Sequence, residues 1–164
     1  MFRLACASAL MLLCSPMTGH AEPPTTQSVE VEPGVQLEVI SWGGTGRPLV
    51  FLAGFGGTGR TFEGFAPRFT DTNRVYAITR RGFGASSHPA PTDANYTPER
   101  LAGDVINVIR RLGLQRPILV GHSIAGQELS EIGTRYPNEV AGLIYLEAAE
   151  AMHFTAPDPE WFIR

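Results

Sequence analysis

The stretch "LVGHSIAGQELS", residues 119–130, decides how this chain is read. It begins as the end of an apolar run, "PILVG" (117–121), which has the character of a strand. From Ile124 to Arg135 the pattern changes, with Ala125, Leu129, Ile132 and Tyr136 on one helical face. Ser123 stands at the corner. Gly121-His122-Ser123-Ile124-Ala125 has the form small-x-Ser-x-small. A strand-to-helix turn that sharp presses the positions two before and two after the serine against backbone, so both must be small. The strained turn lifts the serine hydroxyl clear of the sheet, where a helix N-terminus favours developing negative charge. The plainer account is a serine capping a helix among incidental glycines. The strand before and the helix after supply the context a nucleophile needs.

Working outward, "SVEVEPGVQLEVISW" alternates around Pro33-Gly34, a hairpin with one polar face. "LVFLA" (49–53) is a continuous apolar run, as in a strand covered on both sides. The Gly-rich loop "GFGGTG" (54–59) follows, then Phe62, Phe65 and Phe69 at helical spacing, with Pro67 dividing that helix into two short pieces. "RVYAITRRG" (74–82) reads as the next strand. "YTPERLAGDVINVIRRLG" (96–113) reads as a helix with Thr97 at the N-cap, Pro98 at the first position and Gly113 as the stop. Its expected buried stripe is Leu101, Val105, Val108 and Leu112. "VAGLIYLEAA" (140–149) is a further buried strand. The order predicts an α/β fold: a mostly parallel sheet, an N-terminal antiparallel hairpin, and helices on both faces. Ligands of such sheets sit at the C-terminal strand ends, which places the chemistry near 54–59, 82–88, 121–125 and 147–153.

The opening "MFRLACASALMLLCSPMTGHA" carries one early positive charge, an apolar middle from Leu4 to Leu13, and Gly19-His20-Ala21. It predicts a signal peptide over residues 1–21, cleaved before Glu22, and hence a secreted or periplasmic protein with no stable membrane span. Residues 22–27 then read as a flexible mature N-terminus, 28–150 as the core and 151–164 as the start of a cap or loop segment. Both cysteines, Cys6 and Cys14, leave with the signal. The remaining 143 residues then hold no disulfide, thiolate metal site or cysteine nucleophile. Removing Arg3 moves the net charge from −3 to −4. That mild acidity, without a basic run, argues against nucleic acid as a partner. Gly54, Gly56, Gly57 and Gly59 follow a strand, yet no Lys-Ser/Thr comes after them, so a nucleotide cofactor is disfavoured and no metal or cofactor is expected.

Three stretches, "LVFLAGFGG", "VYAITRRGFGASS" and "LVGHSIAGQEL", with "GLIYLEAA" as a fourth, resemble the α/β-hydrolase fold family in its serine-hydrolase branch. The match covers residues 28 to about 150 in the family's order and so implies the N-terminal part of that fold, ending after about the sixth strand. The resemblance implies Ser123 as nucleophile and the backbone N–H groups of Ile124 and Phe55 as oxyanion-hole donors. Each such donor is worth roughly 3–4 kcal/mol of transition-state stabilisation. Ala53-Gly54 stands where the family often writes His-Gly, and Ala125 where glycine is commoner. Gly82, Gly84 and Ser86 match the loop that borders the pocket and are expected only to shape it. Epoxide hydrolases and dehalogenases of the family carry aspartate at position 123 and are disfavoured.

In this family the catalytic acid and then the histidine follow the serine. His122 adjoins the nucleophile but diverges from it. His88 and His153 fall in loops on the correct edge of the sheet, where a solvated histidine is the plainer reading. Glu147, at the end of the sixth strand, is the candidate acid, against a packing role, with Glu150 behind it. Residues 1–164 are therefore expected to be the front part of a longer hydrolase, nearly inert alone. Ester or amide hydrolysis through an acyl-serine is the first reading. A non-catalytic binding protein that keeps the pocket for a small molecule is the second. The sixth strand, apolar and outermost, is expected to promote self-association.

Overall fold

Alternating side chains and the Pro33-Gly34 turn build the antiparallel pair β1 (Thr25–Glu32) and β2 (Val35–Gly43), with Val29 opposite Leu37. The computed structural model describes residues 23–148. The segment 1–21, both cysteines, Glu150, His153 and the stretch 151–164 lie outside the described residues. Four further strands follow: β3 (Arg47–Leu52), β4 (Asn73–Ile78), β5 (Ile118–His122) and β6 (Gly142–Leu146). The sheet order is β1-β2-β4-β3-β5-β6. β1, β2 and β4 run antiparallel to their neighbours in turn, whereas β4, β3, β5 and β6 are mutually parallel.

Helical cover lies on both faces. On one, α2 (Pro98–Arg111) and α3 (Ala125–Arg135) pack Val105, Ile109, Leu129 and Ile132 against Val39, Val50, Leu52 and Leu119. On the other, two 3₁₀ turns, Gly59–Phe62 and Ala66–Phe69, seat Phe62 and Ala66 on Leu49, Phe51, Val75 and Val120. Pro67 sits in the first turn of the second, so the expected division of this helix is seen, in the tighter 3₁₀ form. Each fully buried Val, Leu or Ile contributes about 1.5–3 kcal/mol. A single turn, α1 (Asp93–Tyr96), precedes α2. Thr97 Oγ1 accepts the Arg100 N–H at 3.2 Å with Pro98 behind it, which fixes where α2 starts.

The structure departs from the sequence reading at four places. Thr25, Thr26 and Gln27, expected in a flexible lead-in, belong to β1 and pair with Ser41, Ile40 and Val39. All three are exposed, so the backbone ladder holds them and no apolar alternation announces it. The buried set of α2 is wider than the expected stripe. Ala102, Ile106 and Ile109 join Val105 and Val108, because the helix packs on both the sheet and α3, while Leu101 and Leu112 are only half-buried. β4 ends at Ile78, since Thr79, Arg80 and Arg81 turn into polar networks. β6, read from its composition as buried, is shorter than expected and pairs with β5 alone among the described residues. Ile144 and Tyr145 remain 44% and 45% exposed.

Candidate active site

Ser123 adopts φ +55°, a left-handed conformation rare outside glycine, at the junction of β5 and α3. Strain of this kind costs on the order of 1–3 kcal/mol and persists only where surrounding packing enforces it. The enforcement is visible. A Cβ on Gly121 would lie 2.8 Å from Leu129 Cδ1 and 3.2 Å from the Ala125 carbonyl, so α3 folds directly back over β5. Ala125 is fully buried. The Ser123 N–H donates to the Leu146 carbonyl at 3.2 Å, and its own carbonyl accepts from Gly126 N–H at 3.0 Å. Ser123 itself is half-buried, and its hydroxyl makes no hydrogen bond to a described residue.

The loop after β3 closes in from the side. A Cβ on Gly54 would come within 2.9 Å of His122 Nδ1 and 3.1 Å of Ser123 Cβ, so any side chain there would have to displace the His122 ring and press on Ser123. The His122 ring thus packs beside Gly54. The Gly54 carbonyl accepts the Gly57 N–H at 3.1 Å, closing a turn around the exposed Phe55. Neither the Phe55 nor the Ile124 N–H donates to another backbone group among the described residues. Both residues line an open crevice of about 330 Å³ together with Phe83, Pro91, Tyr96 and Leu101. Phe55 and Phe83 meet edge to face, ring centroids 5.7 Å apart. Tyr96 is anchored by its hydroxyl, which donates to the Pro89 carbonyl at 2.9 Å.

The remaining candidates are placed as follows. Glu147 lies one residue past β6 at φ +43°, exposed, with no ion pair or hydrogen bond among the described residues. His88 is exposed in the loop after β4. Gly82 lines the crevice, and the buried Ser86 has a scaffolding role. Ser86 Oγ donates to the Thr79 carbonyl at 2.7 Å and accepts the Glu38 N–H at 2.9 Å. Thr79 Oγ1 in turn donates to Glu38 at 2.6 Å and accepts the Gly59 N–H at 2.9 Å, tying β2 and β4 to the Gly-rich loop.

Two buried arginines next to this network were not singled out from the sequence. Arg80 Nε donates to Glu128 and its Nη2 to the Ala53 carbonyl at 3.1 Å. Burial pushes the Glu128 carboxyl up, and the charge and hydrogen bond of Arg80 pull against it. Fully buried Arg81 binds both Asp104 oxygens at 2.6 Å and Glu32 at 2.9 Å. The only signal for these pairs in the sequence was the doublet Arg80-Arg81 at a strand end.

The model of the alpha/beta hydrolase fold matches residues 47–164. The chain belongs to this family. Human (Homo sapiens) 1-acylglycerol-3-phosphate O-acyltransferase is 33% identical over 148 residues, which is 86% of this hydrolase-family chain and 40% of that protein. Fluoroacetate dehalogenase from Burkholderia sp is 34% identical over 107 residues, 64% of this chain and 35% of that one. Among solved structures, an N-acyl homoserine lactone degrading enzyme aligns with a TM-score of 0.68 at 33% identity, over 74% of this chain and 45% of its own. The chain spans less than half the length of these alpha/beta hydrolase relatives. Their names divide by reaction, so the chemistry of this member has to be read from its own residue 123.

Proposed function

We propose that this alpha/beta hydrolase chain carries the nucleophile and oxyanion hole of a serine hydrolase that cleaves esters or amides through an acyl-serine. The observation that carries the reading is Ser123 at φ +55° with Gly54 packed against it, between Phe55 and Ile124, whose amides donate to no backbone group among the described residues and which line an apolar crevice. Ser123 Oγ attacks the substrate carbonyl carbon and gives its proton to a base. The negative charge gathers on the carbonyl oxygen, between the two N–H groups. Expulsion of the alcohol or amine leaves the acyl-serine, which water then hydrolyses. The dehalogenase relative does not redirect this reading, because the family resemblance implies aspartate at position 123 for that chemistry.

Such a serine needs a base that a carboxylate orients. His88 and His122 precede Ser123, against the family order, and no histidine follows it among the described residues. Glu147 is the candidate carboxylate. The test therefore supplies the base from solution. A fluorophosphonate probe should label Ser123 slowly, label it faster as imidazole is added, and fail on Ser123→Ala. Labelling elsewhere, or labelling that survives Ser123→Ala, would remove the assignment. A crevice that binds ester analogues while Ser123 stays unlabelled would identify the non-catalytic binder instead. Residues 1–21 support export with cleavage before Glu22, and N-terminal sequencing of the exported protein should begin at Glu22.

A further inference from the structure

We propose that Arg80 and Glu128 form a positioning pair for the reaction at Ser123, holding the Ala53–Gly54 peptide so that the Phe55 N–H stays placed for the substrate's carbonyl oxygen. The inference rests on reading Ser123 as that nucleophile.

Gly54 is the weak point of the proposed oxyanion hole. A side chain there would crowd His122 and Ser123, and the glycine that avoids this leaves both of its torsions free. Two hydrogen bonds remove that freedom. Arg80 Nη2 holds the Ala53 carbonyl, which fixes the peptide plane before Gly54. The Gly57 N–H holds the Gly54 carbonyl, which fixes the plane after it. That second plane carries the Phe55 N–H on the edge opposite the Gly54 carbonyl, as a trans peptide requires. The other arm of Arg80 reaches Glu128 in the first turn of α3, the helix preceded by Ile124. A rigid guanidinium fork therefore references both amide donors to each other across β3 and α3.

The surroundings make this a clamp with little play. The Arg80 and Glu128 side chains are 9% and 4% exposed. The space enclosed among Arg80, Glu128, Ala53 and Asp104 is about 10 Å³, room for one water at most. Replacing a buried ion pair with apolar side chains is often neutral or stabilising, so stability alone gives weak reason to keep one here. Positioning gives a stronger one.

The test uses the 164-residue chain carrying Arg80→Lys, or the double change Arg80→Met with Glu128→Leu, which leaves neither charge unpaired. Three quantities are read: the urea midpoint, the imidazole-supported rate of fluorophosphonate labelling at Ser123, and the amide resonances of Gly54 and Phe55. The double variant should keep or exceed the wild-type midpoint yet label at least about tenfold more slowly at saturating probe. Its half-saturating probe concentration should not change, and the Gly54 and Phe55 amides should shift. Arg80→Lys, whose ammonium cannot span both partners, should be slow in the same way. A double variant that labels at the wild-type rate overturns the proposal, as do unmoved Gly54 and Phe55 amides, whether or not the wild type labels. Failure of the wild type to label at Ser123 in imidazole would instead overturn the nucleophile reading beneath it.

Discussion

Gly121 and Leu129 meet across the strand-to-helix turn at Ser123 so closely that a methyl group on the glycine would sit 2.8 Å from Leu129 Cδ1 and 2.9 Å from Cγ. Leu129 is fully buried and cannot move aside without opening the α3–sheet contact. Gly121→Ala is therefore expected to cost about 2–3 kcal/mol, the usual penalty for overpacking. Leu129→Ala in the same background should recover part of that loss, although it costs stability alone. Urea unfolding of the two single variants and the double variant measures the coupling.

At position 123, stability and reactivity should separate. Ser123→Gly relieves the left-handed backbone and should raise stability relative to Ser123→Ala by about 1 kcal/mol. Both variants should lose fluorophosphonate labelling. Equal stability of the two variants in urea would mean that the bend stores no strain.

The Asp104–Arg81 pair should leave a mark on the pH dependence of folding. Burial pushes the Asp104 carboxyl above its ordinary range. Arg81 draws it back by hydrogen bonds and charge, Glu32 adds to the rise, and Arg100 opposes it. The folded chain therefore keeps this proton at pH values where the unfolded chain has lost it. The stabilisation it brings is complete below the ordinary aspartate pKa of about 4 and declines as pH rises through the elevated folded value. Asp104→Asn should remove that slope. Above that range, where Asp104 is ionised, it should also lower stability by about 3 kcal/mol, because the buried Arg81 charge is left with the Glu32 carboxylate alone. Urea midpoints of wild type and variant across a pH series, compared as differences, isolate the effect.

β6, outermost among the described residues, leads to a prediction of association. Ile144, Tyr145 and Leu146 are large, apolar and exposed on a strand with one neighbour among the described residues. Ile144→Lys should reduce concentration-dependent self-association, measured by sedimentation velocity, while leaving the urea midpoint within about 0.5 kcal/mol.

What could be read in advance followed the length scale of the interaction. Thr97-Pro98 marked the start of α2 because a cap acts across three residues, as the Arg100 N–H on Thr97 Oγ1 shows. The turn at Ser123 was legible for the same reason, since its steric demand falls on residues two before and two after the serine. The arginines were opaque: Arg80 meets Glu128 across 48 residues, and Arg81 meets Asp104 across 23. No spacing rule records such a meeting, and a charged doublet more often marks a solvated strand end. Thr25 to Gln27 were missed for a related reason. Their pairing is a property of β2, and nothing in their own side chains reports it.

The Ser123 N–H ends on the carbonyl of Leu146, the last residue of β6. The turn that holds the proposed nucleophile is thus tethered to β6, the border of the sheet among the described residues. Any molecule that grips this border, or any thermal fraying that peels it back, tugs on the amide of the residue proposed to attack. Chemistry at the corner should then register events on the rim before the interior feels them.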